Sequence, residues 1–433
     1  MLRPKTLNHI LLSGIFILTV LFSGCKKDDA AKTLQPLKLG VILPMDQDKG
    51  PLREKALLTT IVEINAAGGV GEGYKIELVI KSSAGADREL VAAAAAKELA
   101  ASEKSLVGFV TSFSSCSKGV IEQVGIPDHY PLIAGAATAE FLSGISPYFQ
   151  RLCPPDAFEA NILTVEATKY GINSVAIAVE DGDVYSENLA TKFQAAFGSG
   201  TETMVKFSLA DPAYASKIDQ LLAGNPEAIF ISMLNPSSYQ EFVTRLSQLN
   251  GNTGPANMTF IFCDALYSSA IFSSPVGMMI GEINGHPRNF GAMPSADTTT
   301  GPYKYFQSNL MNRYQQAVSS YTAQFYDIGF LYAMALEKTL SEMGLNDMKA
   351  FRDRLAYWIR QVSHGNAGDP GVMPSLGWKS MKYACQHGGV DYQGASGNCN
   401  IDAQGNVVTP YAIMKIAGTP MAYYFETISV VYP

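Results

Sequence analysis

Residues 37–67 read LKLGVILPMDQDKGPLREKALLTTIVEINAA, and glycines follow at positions 68, 69, 71 and 73. The apolar run LKLGVILP ends in a proline and predicts a buried strand. From Pro51 the apolar residues recur every three to four positions, which predicts an amphipathic helix that the glycines can close. Because YKIELVIK at 74–81 predicts a second strand, the stretch forms a βαβ unit with parallel strands and a right-handed crossover.

The same alternation continues along the chain. Further strands are predicted at 106–111 and 130–136, and after Pro154-Pro155 a second set is predicted at 174–179, 204–208, 228–233 and 258–263. Each strand is separated from the next by a helical pattern, which is typical of parallel sheets. The sequence therefore predicts an α/β fold with two doubly wound parallel-sheet lobes joined by a hinge.

Composition narrows the class of protein. Apolar residues make up 47% and charged residues 16% of the chain, which describes a globular protein, and the net charge is −7. A negative surface argues against nucleic acid and anionic membrane as partners. The histidines are scattered without HExxH spacing, and no GxSxG elbow is present. We therefore expect neither an enzyme nor a metal or other cofactor.

The N-terminus predicts export. Arg3 and Lys5 precede an apolar run at 10–22 that is too short to span a bilayer comfortably, and the run leads into LFSGC, which ends at Cys25. Small residues before a cysteine resemble a lipoprotein signal. We expect 1–24 to be a signal peptide, Cys25 to carry lipid, and 25–36 to be a flexible tether. An ordinary secretory signal with a chance cysteine is the alternative.

Several motifs occur in an order that resembles the type I periplasmic binding proteins, nearest to the leucine/isoleucine/valine receptors of ABC transporters. They are the opening strand ending in proline, the helix ending EINAAGG, YKIELVIK, GAAT at 135–138, YD at 326–327 before an apolar helix, and GASG at 394–397. The resemblance implies an exported, lipid-anchored receptor that faces the periplasm or cell exterior and serves an ABC transporter permease. It implies lobe one at 37–155, lobe two at 156–284, a return to lobe one at 285–384, and completion of lobe two at 385–433.

Ligands in open α/β sheets bind at the carboxyl ends of strands, and two stretches of lobe one meet that condition. Ser112, Ser114, Ser115 and Ser117 follow a strand where a helix starts, which favours a carboxylate, although capping of the helix by one serine is the alternative. The turn Ala136-Ala137-Thr138 resembles the family's ligand-binding turn. The predicted carboxylate site is therefore Ser115, Ser117, Ala136, Ala137 and Thr138.

Two residues of lobe two complete the predicted site. The resemblance places Tyr185 over the ligand and pairs Asp264 with a ligand ammonium group; a buried helix tyrosine and a helix cap are the alternatives. The loop MDQDKG at 45–50 and Leu234 depart from the family pattern, so branched-chain specificity is not carried over. An amino acid or related carboxylate is the expected ligand, and a scaffold lipoprotein that binds no small molecule is the second hypothesis.

Five cysteines follow Cys25, which in an oxidising compartment allows two bridges and one free thiol. Cys385 and Cys399 bracket a glycine-rich loop and are the first predicted disulfide. Cys116 and Cys153 fall near strand ends of one lobe and are the second. Cys263 lies in an apolar strand and is expected to be a buried free thiol.

Overall fold

A computed structural model describes residues 33–420 and 422–432. Leu34–Pro433 form one compact unit. The predicted signal peptide, the predicted lipidation site Cys25 and most of the predicted tether lie outside the described residues. None of the helices in the described residues combines the length and the apolarity that crossing a bilayer requires.

Lobe one is built on a five-stranded parallel sheet in the order β2-β1-β3-β4-β5. Its strands are β1 (Gln35–Leu43), β2 (Tyr74–Ser82), β3 (Leu106–Thr111), β4 (Leu132–Ala134) and β5 (Phe149–Arg151), and its first helices are α1 (Lys49–Ala66), α2 (Arg88–Ser102), α3 (Ser114–Val120) and α4 (Ile126–Asp128). Val41 and Ile42 on β1 are both fully buried but belong to different core clusters. Successive side chains of a strand point to opposite faces, so the apolar run is explained by burial on both faces of the sheet.

Lobe two follows with the same alternation. Its elements are α5 (Asp156–Lys169), β6 (Val175–Glu180), α6 (Val184–Phe197), β7 (Thr201–Phe207), α7 (Tyr214–Leu222), β8 (Ala228–Ser232), α8 (Pro236–Ser247), α9 (Leu249–Asn252), β9 (Thr259–Phe262), β10 (Glu282–Ile283), β11 (His286–Pro287) and β12 (Asn289–Pro294). The strands β6, β8 and β9 are fully buried along their length. That burial explains their continuous apolar sequences.

The chain then returns to lobe one before it ends in lobe two. The returning elements are α10 (Gly301–Tyr314), α11 (Thr322–Glu342), α12 (Met348–His364), β13 (Gly371–Val372), α13 (Trp378–His387) and β14 (Asp391–Tyr392), and the final ones are β15 (Tyr411–Ala417) and β16 (Tyr424–Val431). The second sheet has seven strands in the order β16-β15-β12-β9-β8-β6-β7. The predicted α/β class with two lobes is confirmed.

The crossings between lobes lie later in the chain than the predicted residues 285 and 385. The strand β12 pairs with β9 and with β15, so the chain stays in the second sheet until Pro294. Cys385, Tyr392 and Val407 pack in the core of lobe one, and the second sheet is rejoined at β15. The strands β15 and β16 run antiparallel to their neighbours, so this sheet is mixed instead of wholly parallel.

Both predicted disulfides are wrong: all five described cysteines are buried and unbridged. The Sγ atom of Cys399 lies 3.6 Å from Oδ2 of Asp327, whereas the charges beside Cys385 are those of Lys338 and Glu337. Asp327 and Glu337 are separated by about 15 Å along α11, at about 1.5 Å of rise per residue. A disulfide requires Cα atoms within about 7 Å of each other.

The second pair is kept apart in the same way. Cys116 faces Ser83 and Arg88, next to the start of α2. Cys153 lies beside Arg151 and the backbone of Ala137, close to the cleft between the lobes. Cys116 and Cys153 are both near strand ends of lobe one, but they have different neighbours and do not face each other.

Candidate functional site

The carboxyl ends of both sheets point into a cleft between the lobes, as expected for this class of fold. The cleft contains a cavity of about 20 Å³, which is room for roughly one water molecule. Lobe one contributes residues from the start of α1, from the ends of β3 and β4, and from the segment before α11. The complete lining is Lys49, Arg53, Phe113, Ser114, Ala136, Thr138, Tyr185, Leu234, Asp264, Ala265 and Tyr321.

Asp264 is the most engaged of these residues. It follows β9 and is buried, and both of its carboxylate oxygens accept hydrogen bonds. Tyr185 donates to Oδ1 from lobe two, and Tyr321 donates to Oδ2 from lobe one. The backbone N–H of Asp264 donates to Oε1 of Glu159 at 2.8 Å. The carboxylate therefore joins the two lobes through its tyrosine partners.

Two basic side chains from α1 enter the cleft. Lys49 is buried and donates from Nζ to the backbone oxygen of Ala265, at 2.5 Å, across the cleft. Burial lowers the pKa of Lys49 to about 8, and the neighbouring charge of Arg53 adds to that shift. The pKa stays high enough for Lys49 to be mostly protonated at neutral pH. A cation of lobe one is thus in direct contact with lobe two.

Arg53 lies one turn further along α1 and is also buried. It donates to Oγ of Ser112, and its guanidinium carbon lies 5.2, 5.6 and 5.5 Å from the ring centroids of Phe113, Tyr321 and Phe325. Aromatic faces stabilise a cation at such distances. Its Nε atom has no hydrogen-bond partner, so the guanidinium retains a donor for a further acceptor.

Two further acids lie in the first turn of α5, behind Asp264. Burial raises the pKa of Asp156 to about 8. Burial also raises the pKa of Glu159, and the charges of Asp264 and Asp156 add to the effect. Asp156 therefore favours the protonated form at neutral pH, and burial likewise disfavours the charged form of Glu159. Asp264 is then the buried carboxylate that faces the two cations of α1.

The structure brings four of the predicted site residues together: Ala136, Thr138, Tyr185 and Asp264 all line the cavity. Ser115 instead lines an adjoining open groove of about 670 Å³, along with Arg88 and Asp183. The remaining two predicted residues lie elsewhere in lobe one.

Ser117 is turned into the interior of lobe one. Its hydroxyl donates to the backbone oxygen of Phe113 at 2.9 Å and lies 2.7 Å from Oγ1 of Thr111. Ala137 is also buried, and its backbone oxygen accepts from Arg151 at 2.8 Å. The structure therefore gives both residues structural partners within lobe one.

Sequence reasoning missed Lys49, Arg53 and Tyr321. A signal for the first two was present, because Lys49 and Arg53 are four residues apart and continue the buried face of α1 that includes Leu57 and Ile61. Basic residues on the helix face that is otherwise apolar and packed against the core indicate a buried polar site. Tyr321 had no such signal, since its position depends on the return of the chain to lobe one.

Comparisons with known proteins agree with this geometry. The model of a family described as "Receptor family ligand binding region" matches residues 52–419. No curated protein sequence matches the chain. Among solved structures, a leucine-binding protein from Thermotoga maritima is similar with a TM-score of 0.68 at 19% identity, over 92% of this chain and 99% of that one.

Two other solved structures show the same fold. A branched-chain amino acid substrate-binding protein from Streptococcus pneumoniae, in complex with isoleucine, has a TM-score of 0.66 at 18% identity, over 91% of this chain and 100% of that one. A solute-binding protein from R. palustris, in complex with benzoate, has a TM-score of 0.66 at 14% identity, over 92% and 97%. The family match over most of the length, together with the two-lobed fold, shows that this chain belongs to the receptor family ligand binding region, with the fold of the type I periplasmic binding proteins.

Proposed function

We propose that this chain is a non-enzymatic, extracytoplasmic solute receptor that delivers a small ligand, which is an amino acid or a related carboxylate, to an ABC transporter. The observation that carries the proposal is the meeting of Lys49 and Arg53 with Asp264 between two lobes. Buried charges of both signs in one cleft can orient a small polar ligand. The similar proteins named above include ones solved with isoleucine and with benzoate, both of which carry a carboxylate, and this supports the ligand class.

The mechanism we propose is closure of the lobes around the ligand. Contacts across the cleft already include Lys49 with Ala265 and Tyr321 with Asp264. A cavity of about 20 Å³ accommodates neither an amino acid nor another small carboxylate, so entry of any such ligand requires the lobes to part and Lys49 to move. A ligand that touches both lobes then stabilises the closed arrangement by its differential affinity for it.

A scaffold role is the second candidate, and the small cavity is the observation that favours it. Lys49, Tyr185 and Tyr321 satisfy the polar groups around Asp264 without any added molecule. A chain with such a cleft can keep the fold while its outer surface contacts another envelope protein. This role predicts that no small solute changes the stability of the protein.

Thermal unfolding of the full chain against amino acids, small carboxylates and sugars distinguishes the two candidates. A ligand at about 100 times its Kd adds about 2.7 kcal/mol of stability, which raises the unfolding temperature by several degrees. Stabilisation by amino acids or carboxylates supports the receptor. An unchanged unfolding temperature across the whole panel, from well-folded protein, contradicts it and favours the scaffold.

We also propose that the receptor is held on a bacterial membrane by lipid on Cys25, after removal of residues 1–24. The support is the sequence pattern of basic residues, apolar run and LFSGC. Labelling of growing cells with a fatty-acid analogue should mark the wild-type chain. Cys25→Ala should lose the label and leave the membrane fraction. Labelling of Cys25→Ala at the wild-type level would contradict the anchor.

A further inference from the structure

The carboxylate and the backbone oxygen on the lobe-two side of the cleft already accept hydrogen bonds from donors of the chain itself. Tyr185 and Tyr321 donate to the two oxygens of Asp264. Lys49 donates to the backbone oxygen of Ala265. When the lobes close, a ligand ammonium group therefore competes with Tyr185, Tyr321 and Lys49 for the carboxylate of Asp264 and the backbone oxygen of Ala265.

The donors of the cleft are in surplus. Arg53 is one of the lining residues, and its buried Nε atom has no hydrogen-bond partner. The hydroxyl of Ser114 accepts from the backbone N–H of Ala139 at 3.1 Å, which leaves its own proton available. Lys49 carries further ammonium protons beyond the one that reaches Ala265. The hydroxyl of Thr138, which also lacks a partner, can donate or accept. Most of the unmet hydrogen-bonding capacity of the cavity therefore belongs to donors, which suits an anion.

The balance of charge points the same way. Two cations, Lys49 and Arg53, line the cavity, and Asp264 is the single acidic residue in its lining. Asp156 and Glu159 lie behind the lining, and burial raises the pKa of each. Asp48 precedes Lys49 but is exposed, so solvent screens its charge. A ligand with one negative charge improves this balance, whereas a zwitterion adds a third cation.

We propose that the cleft selects a monocarboxylate with an apolar body and no ammonium group beside the carboxylate, with Lys49 acting as the residue that excludes amino acids. The carboxylate faces Lys49 and Arg53, and the body packs against the apolar part of the lining, which is Phe113, Ala136, Leu234 and Ala265. This inference rests on the proposed receptor function and names the ligand class of the same site. It makes Lys49 a specificity-determining residue.

The test compares acids that differ from amino acids only by the ammonium group. Calorimetric titration of the full chain at pH 7 would use 3-phenylpropanoate against L-phenylalanine and 4-methylpentanoate against L-leucine. We expect the acid of at least one pair to bind about tenfold or more tightly than its amino acid, since an unpaired buried charge costs more than 1.4 kcal/mol. Equal or tighter binding of the amino acids overturns the inference while the receptor function stands.

The variant Lys49→Met keeps the length of the side chain and removes its charge. We expect it to weaken binding of the acid about tenfold or more and to narrow the preference over the amino acid, because acceptors beside Asp264 become available to a ligand ammonium. Lys55→Met removes the same charge from the same helix outside the cavity lining, and it should leave both affinities unchanged. An unchanged preference in folded Lys49→Met overturns the role of Lys49.

Failure of this inference differs from failure of the proposed function. If the amino acids bind and the matched carboxylic acids do not, the proposed selectivity is contradicted and the proposed receptor function stands. If no acid, amino acid or sugar binds, both the receptor and its selectivity are contradicted. Should Lys49→Met not fold, the two matched pairs measured on the wild-type chain still decide between an acid and a zwitterion.

Discussion

Tyr321 of lobe one donates a hydrogen bond to the carboxylate of Asp264 in lobe two. The tyrosine lies immediately before α11 with a φ of 63°, in the left-handed region that a tyrosine rarely adopts. Asp264 follows β9, and Tyr185 holds its other oxygen. A residue in an uncommon backbone conformation thus forms a polar bridge between the lobes, so we expect this bridge to control their closure.

Tyr321→Phe removes that bridge and should favour separation of the lobes. A hydrogen bond to a charged acceptor contributes about 1.5–3 kcal/mol, so the population of open molecules should rise about tenfold or more. Small-angle X-ray scattering would detect this as a larger radius of gyration. Tyr332→Phe is the matched control, because Tyr332 donates only within lobe one, to Phe109 and Pro131. Equal radii for wild type and Tyr321→Phe would contradict the role of the bridge.

Lys49 predicts how carboxylate binding depends on pH. Its pKa is lowered to about 8, chiefly by burial and then by the charge of Arg53, while Asp264, Asp48 and Cys263 oppose the shift. The ammonium group is therefore lost as the pH rises through 8. Affinity for a carboxylate, measured by calorimetry, should fall between pH 7 and pH 9. Lys49→Met should lack this fall, and an equally steep fall in that variant would exclude Lys49 as its source.

Asp156 predicts a pH dependence of stability. Burial raises its pKa from 3.8 to about 8, so between these values the folded chain binds a proton that the unfolded chain has lost. That contribution to stability is complete below pH 3.8 and is lost as the pH rises towards 8. The unfolding temperature of wild type should therefore fall relative to that of Asp156→Asn between pH 5 and pH 8.

Glu159 is still present in Asp156→Asn, and burial still raises its pKa there, although the contribution from the charge of Asp156 is removed. The comparison therefore reports Asp156 together with its effect on Glu159, with an expected difference on the order of a few kcal/mol across the range. Parallel curves for the two proteins would show that Asp156 has an ordinary pKa in the folded chain.

The cysteines give a chemical test of the structure. Cys116, Cys153, Cys263, Cys385 and Cys399 are buried without bridges, so all five should be alkylated when unreduced protein is unfolded in denaturant. Intact mass spectrometry counts the added groups. A reductant should leave the unfolding temperature unchanged. A pair of cysteines that resists alkylation until reductant is added would contradict the unbridged arrangement.

The fold could be predicted from the sequence because its elements are marked locally. One example is the strand 37–44, which is followed directly by a helix and by the glycines at 68 and 69. The spacing of apolar residues differs clearly between the strand and the helix. The crossings between lobes could not be placed as well. Asn289–Pro294 joins the second sheet through pairing with β9 and β15, and no local pattern records that β15, more than a hundred residues away, is one of its partners.

The candidate site could be predicted where it follows strand ends, and not where it depends on contacts between distant segments. Asp264 and Thr138 were found because parallel strands end there. Lys49 and Arg53 lie on α1, and the loop that leads into this helix departs from the family pattern. The burial of both side chains depends on the approach of lobe two. The predicted disulfides were wrong for a related reason. Cys385 and Cys399 are close in sequence, but they lie beside opposite parts of α11 in the folded chain.

A crystal structure of the full chain with the best-binding carboxylate tests the central claim most directly. We predict that the acid lies between the lobes, with its carboxylate within hydrogen-bond distance of Lys49 and Arg53 and with its other side against Tyr185 or Leu234. Occupation of the outer groove beside Arg88 and Asp183, with the inner cavity unchanged, would contradict the account.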